Sequence, residues 1–133
     1  MIPQPLPEPG VAQILIAEDD VLVRLALAEA LRAVGFGVIE ASCADDALAY
    51  IRAGGTVDLV FSDIQMPGKV DGRELAALIA SDHPGIPVIL TSGDTALAGN
   101  LPAVLFVAKP YSLAHTVALL LSVLDRLPPK GHS

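Results

Sequence analysis

Tryptophan is absent, cysteine occurs once, and aromatic residues make up only 4% of the 133 positions. A single cysteine, Cys43, closes no disulfide within the chain, so the sequence points to a reducing compartment. No basic neighbour marks Cys43 as an activated thiolate, and it reads as a structural residue. Cations are also scarce: 8 Lys and Arg stand against 15 Asp and Glu, for a net charge of −7. They are dispersed, so there is no basic stripe to neutralise phosphates, and a nucleic-acid partner is not expected. No apolar run approaches the ~18 residues that a membrane span requires. Met1–Gly10 lacks the basic segment and apolar core of a signal peptide, and its alternating prolines read as an extended arm. The cytoplasm is the default location, with no membrane partner.

What the chain does have is 53% apolar and 17% charged residues, which argues against disorder. Its length suits one domain that buries a real core without disulfides or a structural metal. Strand and helix signals alternate along it. Strands are expected at 13–17, 37–40, 58–62, 88–90 and 103–108. Helices are expected at 21–34, ending at Gly35, then from a Ser42 cap with Asp45 to about Arg52, and at 73–82. The last runs from a Ser112 cap to about Arg126. Only a turn or two fits between Thr95 and Asn100. On the first helix the spacing places Val23, Leu27, Ala30 and Val34 on the inner face; on the last, Leu113, Val117, Leu120, Leu121 and Leu124.

Five βα repeats with near-continuous apolar strands predict an α/β fold. It is a doubly wound, five-stranded parallel sheet in the flavodoxin-like order 2-1-3-4-5, with helices on both faces and a short fourth helix. A dinucleotide-binding domain would need a glycine fingerprint after the first strand, where this chain has Glu18-Asp19-Asp20.

Chemistry in such a sheet sits at the carboxyl ends of the strands. There the sequence places Glu18 and Asp19 after strand one, Asp63 after strand three, Thr91 after strand four and Lys109 after strand five. Three converging carboxylates are costly unless a cation neutralises them, and all-oxygen donors suit Mg2+. His83, His115, His132 and Cys43 show no zinc-ligand spacing. The Lys109 ammonium can pair with Asp63 or with a phosphoryl oxygen on it, and Thr91 can donate to the same oxygen. Phosphoryl transfer needs mainly such positioning and charge neutralisation.

Four segments in order carry a family resemblance: Ile14-Leu15-Ile16-Ala17-Glu18-Asp19-Asp20, Ser62-Asp63-Ile64-Gln65-Met66-Pro67-Gly68, Leu90-Thr91-Ser92 and Phe106-Val107-Ala108-Lys109-Pro110. Together they resemble the response-regulator receiver domain, the phosphoacceptor module of two-component signalling. The resemblance implies that Asp63 accepts the phosphoryl group. Asp19, Asp63 and the backbone carbonyl of Gln65 would ligate Mg2+, and Glu18 would act through a metal-bound water. Lys109 would hold the phosphoryl group, and Thr91 and Phe106 would be the switch pair. The implied donor is a sensor histidine kinase or a histidine phosphotransfer protein, and an unidentified downstream protein would read the change in shape. Val21, Leu22 and Leu25 lie off the inner stripe of the first helix and offer a surface for such a partner or for a homodimer.

The chain departs from the family pattern twice. Gly68-Lys69-Val70 lengthens the loop before Asp71-Gly72 by one residue, and Thr91 to Lys109 is shorter than usual by ~4 residues, about one helical turn. The expected organisation is an arm at 1–11, a receiver at 12–127 and a tail at 128–133, with no output domain attached. Two other readings stay open: a receiver-like interaction module that is never phosphorylated, and a hydrolase working through an aspartyl-phosphate. Gln65, where such hydrolases often carry a second acid, disfavours the latter.

Overall fold

The computed structural model describes residues 10–103 and 105–125. Its elements are β1 (Gln13–Ala17), α1 (Val21–Ala33), β2 (Gly37–Ala41), α2 (Ala44–Arg52), β3 (Leu59–Asp63), α3 (Gly72–Asp82), β4 (Val88–Ser92), a 3-10 helix (Thr95–Ala98), β5 (Leu105–Ala108) and α4 (Leu113–Asp125). All four strand pairings are parallel, and the order is β2-β1-β3-β4-β5. Side chains alternate between the two faces of the sheet. On one face Ile14, Ile16, Leu59, Phe61 and Ile89 meet Leu27, Ala28 and Leu31 of α1 and Leu120 and Val123 of α4. On the other, Leu15, Ala17, Val60 and Leu90 meet α2 and α3 through Ala47, Leu48, Leu75 and Ile79. Both faces are therefore covered, which is why the strands carry no polar alternation.

The register aligns the strand exits. Ala17 pairs with Ala41 and Ser62, Asp63 with Thr91, and Ser92 with Ala108. The next residues of β1 and β5 and the last of β3 thus emerge along one edge. The arm and tail expected at the two ends lie mainly outside the described residues.

Several local expectations are corrected. The buried face of α1 is Arg24, Leu27, Ala28 and Leu31, whereas Val34 is exposed. The inward turn of Arg24 sets this phase, because its guanidinium bonds to Glu40 of β2 and to the Glu18 carbonyl. In α4 Thr116, Leu120 and Val123 are buried, while Leu113 and Leu121 are exposed. That helix is apolar on nearly every side, so periodicity alone did not fix its phase. The cap of α2 is Cys43 rather than Ser42, and it makes no side-chain cap bond. Asp45 instead accepts the backbone N–H groups of Lys69 and Val70, each at 3.0 Å, which fastens the lengthened loop to α2. Between β4 and β5 the described residues make only a single short 3-10 helix. Gly93, Gly99 and Pro102 disfavour anything longer there.

Candidate functional site

β1 delivers Glu18 and Asp19 into the first turn, and β3 ends on Asp63. Glu18 and Asp63 are buried and Asp19 is exposed. Each of the three offers a carboxylate oxygen, and these oxygens lie within 4.8 Å of one another. Lys109 enters from the end of β5, its N–H donated to the Ser92 carbonyl at 3.0 Å. Its ammonium donates to Glu18 Oε1 at 2.6 Å and to Asp63 Oδ2 at 2.8 Å. The other Asp63 oxygen, Oδ1, accepts the Gln65 N–H at 3.3 Å, and Glu18 Oε2 accepts the Asp20 N–H at 3.1 Å. Asp20 has separate work: its carboxylate accepts from Leu22 N–H and Val23 N–H and caps α1.

The electrostatics follow from crowding. Burial raises the Glu18 pKa above its usual range; the hydrogen bond from Lys109 opposes this and the charge of Asp63 adds to it. Burial alone would lower the Lys109 pKa, but its hydrogen bonds to Asp63 and Glu18 and their charges prevail and raise it above the ordinary lysine value. Tyr111, next after Pro110, sets its ring edge-on to Phe61 at 5.6 Å. Its phenol is pushed up to about 12, by burial first and then by the Glu18 charge. Three carboxylates against one ammonium leave two negative charges uncompensated. The donors are all oxygen, and a hard divalent cation fits both facts.

Thr91 and Phe106, the pair expected to switch, are both engaged in the fold. Thr91 pairs with Asp63 in register, yet its hydroxyl donates to the Val107 carbonyl of β5 at 2.6 Å. Phe106 is half-buried against the α2/α3 face of the sheet. Four residues at or next to the site were not singled out as functional in sequence. Asp20 carried a readable signal, an Asp directly before an apolar-periodic run. Tyr111 carried none beyond its place after Pro110. Arg24, a lone cation within the apolar run of α1, carried no signal of its partners on other elements. Gly72 is buried so close to β3 that a Cβ on it would overlap the Asp63 carbonyl oxygen, and its N–H donates to the Ile64 carbonyl at 2.8 Å.

A parallel 2-1-3-4-5 sheet with an acid cluster at its switch point and a lysine across it defines a class of phosphoacceptor signalling modules. The chain belongs to the response regulator receiver domain family, whose model matches residues 14–120. It is 37% identical over 123 residues to the sensor kinase CckA of Brucella abortus, covering 88% of this chain and 13% of that protein. It is 33% identical over 110 residues to the transcriptional regulatory protein PdtaR of Mycobacterium tuberculosis, covering 79% of this chain and 53% of that one. Among solved structures it resembles the response regulator protein TrrA of Thermotoga maritima in complex with Mg(2+)-BeF. The TM-score is 0.77 at 26% identity, over 86% of this chain and 99% of that one. The chain therefore spans at most about half the length of these curated relatives (13% and 53%). No described helix is long and apolar enough to cross a membrane.

Proposed function

We propose that this chain is a Mg2+-dependent receiver that accepts a phosphoryl group on Asp63 and signals by a change of shape. Its donor is a phosphohistidine on a sensor histidine kinase or phosphotransfer protein. The observation that carries the reading is the Lys109 ammonium bridging Glu18 and Asp63 inside a cluster of three carboxylates. Membership of a family that includes a stretch of a sensor kinase supports the donor class. We assign this work to a domain spanning residues 12–127.

In the transfer, a carboxylate oxygen of Asp63 attacks phosphorus. The new P–O bond forms as the P–N bond to the donor imidazole breaks, and the imidazole nitrogen keeps that electron pair. Asp19, Asp63 and the Gln65 carbonyl would hold Mg2+, with Glu18 acting through water. The cation would supply charge neutralisation and orient the phosphoryl oxygens. Lys109 stays protonated because its hydrogen-bonded acids hold it so, and its ammonium follows the transferred charge. Thr91 then exchanges the Val107 carbonyl for a phosphoryl oxygen, and Phe106 turns inward behind it. The two-state shift is biased by the new charge. A downstream protein or a second copy reads the result. The chain itself is a phosphoacceptor rather than an enzyme of steady turnover, apart from self-phosphorylation from small donors and slow loss of the acyl phosphate.

Incubation with Mg2+ and acetyl phosphate tests this. One acid-labile phosphate per chain is expected in the wild type and none in Asp63→Asn, by intact-protein mass and phosphate release. Undiminished labelling of Asp63→Asn sinks the assignment. Failure of the wild type to label supports a silent interaction module, and continuous turnover of phosphate esters a hydrolase.

A further inference from the structure

Arg24 is the one basic residue buried among the described residues, at 7% exposure. Taking a guanidinium out of water is costly unless it is paired and fully hydrogen-bonded. An apolar side chain of similar volume could fill the same space between α1 and the sheet, often without loss of stability. The bonds Arg24 makes point to a different purpose. Its Nε donates to Glu40 Oε1 of β2 at 3.3 Å, and its Nη1 donates to the main-chain carbonyl of Glu18 at 2.9 Å. The Glu18 N–H is already donated to Ala41 O, the end of β2, at 3.0 Å. Both backbone polar groups of Glu18 are thus fastened to β2, one directly and one through Arg24 and Glu40. From that fixed backbone the Glu18 carboxylate reaches Lys109 and the Asp20 N–H, and Asp19 follows at the next peptide. Arg32 shares Glu40, at 3.0 Å to Oε2, and its other described bond goes to the Val38 carbonyl rather than to Glu18.

We propose that Arg24 is a positioning residue for cation binding. By gripping the Glu18 carbonyl it holds the β1–α1 turn in the arrangement that lets Glu18 and Asp19 face Asp63. This rests on the phosphoacceptor reading above. It also makes a signed prediction. On charge alone, removing a cation near three carboxylates would tighten Mg2+ binding; on positioning, it weakens it. Arg24→Met keeps the aliphatic bulk and removes both bonds. Arg24→Lys keeps the charge but cannot hold Glu40 and the Glu18 carbonyl in the same fork.

Calorimetric titration with Mg2+ alone should show the Kd of both variants raised about tenfold or more, as for other groups that orient metal ligands from behind. With acetyl phosphate, the Mg2+ concentration for half-maximal labelling should move by the same factor. The rate at saturating Mg2+ should stay within about twofold, because Arg24 touches no reacting atom. Arg32→Ala, which removes bonds to Glu40 and to the Val38 carbonyl but none to Glu18, should bind Mg2+ as the wild type does. If Arg24→Met does not fold, Arg24→Lys carries the same test, because it keeps the charge and charge alone then predicts no change. Folded variants with wild-type or tighter Mg2+ affinity overturn the positioning role while leaving the phosphoacceptor reading intact. Wild-type protein that binds no Mg2+ overturns both.

Discussion

The exits of β1 and β3 and the passage from β4 to β5 lie on the same edge of one sheet, yet they are built to different standards. β1, β3 and β4 are buried at every residue, whereas β5 has three half-buried residues and an exposed one. Around Glu18 and Asp63, neighbouring elements contribute hydrogen bonds to each side chain and backbone: Ala41, Arg24, Asp20, Gln65 and Lys109. Past β4 the described residues are tied mostly by local bonds. Ser92 Oγ accepts the Asp94 N–H, Asp94 caps the 3-10 helix at Ala96, and Arg73 of α3 donates to the Leu97 carbonyl at 3.3 Å. An apolar groove lined by Ala80, Pro84, Ile86, Leu101 and Pro102 opens between α3 and this connection. The β1 and β3 exits, the acceptor side of the proposed function, are held from several elements, and the side proposed to move is held mostly by local bonds. That is the division expected of a module whose chemistry needs fixed geometry and whose output needs a cheap rearrangement.

The largest break in this comparison should come from Gly72→Ala. The atom a new Cβ would overlap is the Asp63 carbonyl oxygen, part of a buried strand rather than a flexible side chain. Overpacking of rigid cores costs typically 1–3 kcal/mol, and with backbone on the far side about 3 kcal/mol or more is expected. Urea unfolding should show this, with acetyl phosphate labelling reduced because the Asp63 peptide is displaced. A loss below about 1 kcal/mol would mean that the α3–β3 contact yields easily and the acceptor side is not rigid.

Truncating one residue type on each side sharpens the contrast. Leu15 of β1 is fully buried, and Leu15→Ala should cost about 3 kcal/mol in lost burial and residual cavity. Leu97 in the 3-10 helix is only half-buried at the margin of the α2/α3 core, and Leu97→Ala should cost about 1 kcal/mol or less. Native-state amide exchange should give the same order, with 94–103 opening well before β1 and β3. Equal losses for the two variants would remove the distinction.

The same asymmetry governed what the sequence could disclose. The strands were legible because burial on both faces writes continuous apolar runs, and the site because acids and a lysine interrupt those runs at their ends. The 3-10 helix was legible as a deficit, from Gly93, Gly99 and Pro102. Side-chain phase was not. Arg24 lies on the inner face of α1, and a cation there hides the stripe that Leu27, Ala28 and Leu31 continue. Its reason for facing inward, Glu40, is on another element. In α4 the failure had the opposite cause, since Leu113, Leu119, Leu121 and Val123 give the pattern no polar contrast. Asp45 was read as part of a cap, but its partners are Lys69 and Val70, far along the chain. The Arg24 and Asp45 misses both involve a tertiary bond between residues distant in sequence, and local spacing carries no record of such a bond.

The smallest predicted effect tests the joint between the two sides, where Lys109 ties the end of β5 to the acid cluster and Tyr111 meets Phe61 of β3 edge-on. The folded state raises the Lys109 pKa above its ordinary 10.5, so the stabilisation this brings is complete below that value. It is lost as pH climbs through the raised one, because the unfolded chain releases its proton first. Tyr111, raised from 10.0 to about 12, acts in the same direction: the unfolded phenol ionises while the folded one resists, so stability falls across that interval. Melting temperatures measured from pH 9 upward should therefore decline by about a few degrees before general alkaline unfolding. Tyr111→Phe should remove only the tyrosine share of the slope. Lys109→Met should lower stability at neutral pH, by leaving Glu18 and Asp63 facing each other without the ammonium, and should flatten the remaining decline. If the alkaline slope survives in the double variant, the decline belongs to groups elsewhere, and the joint is held by packing such as the Tyr111–Phe61 contact rather than by charge.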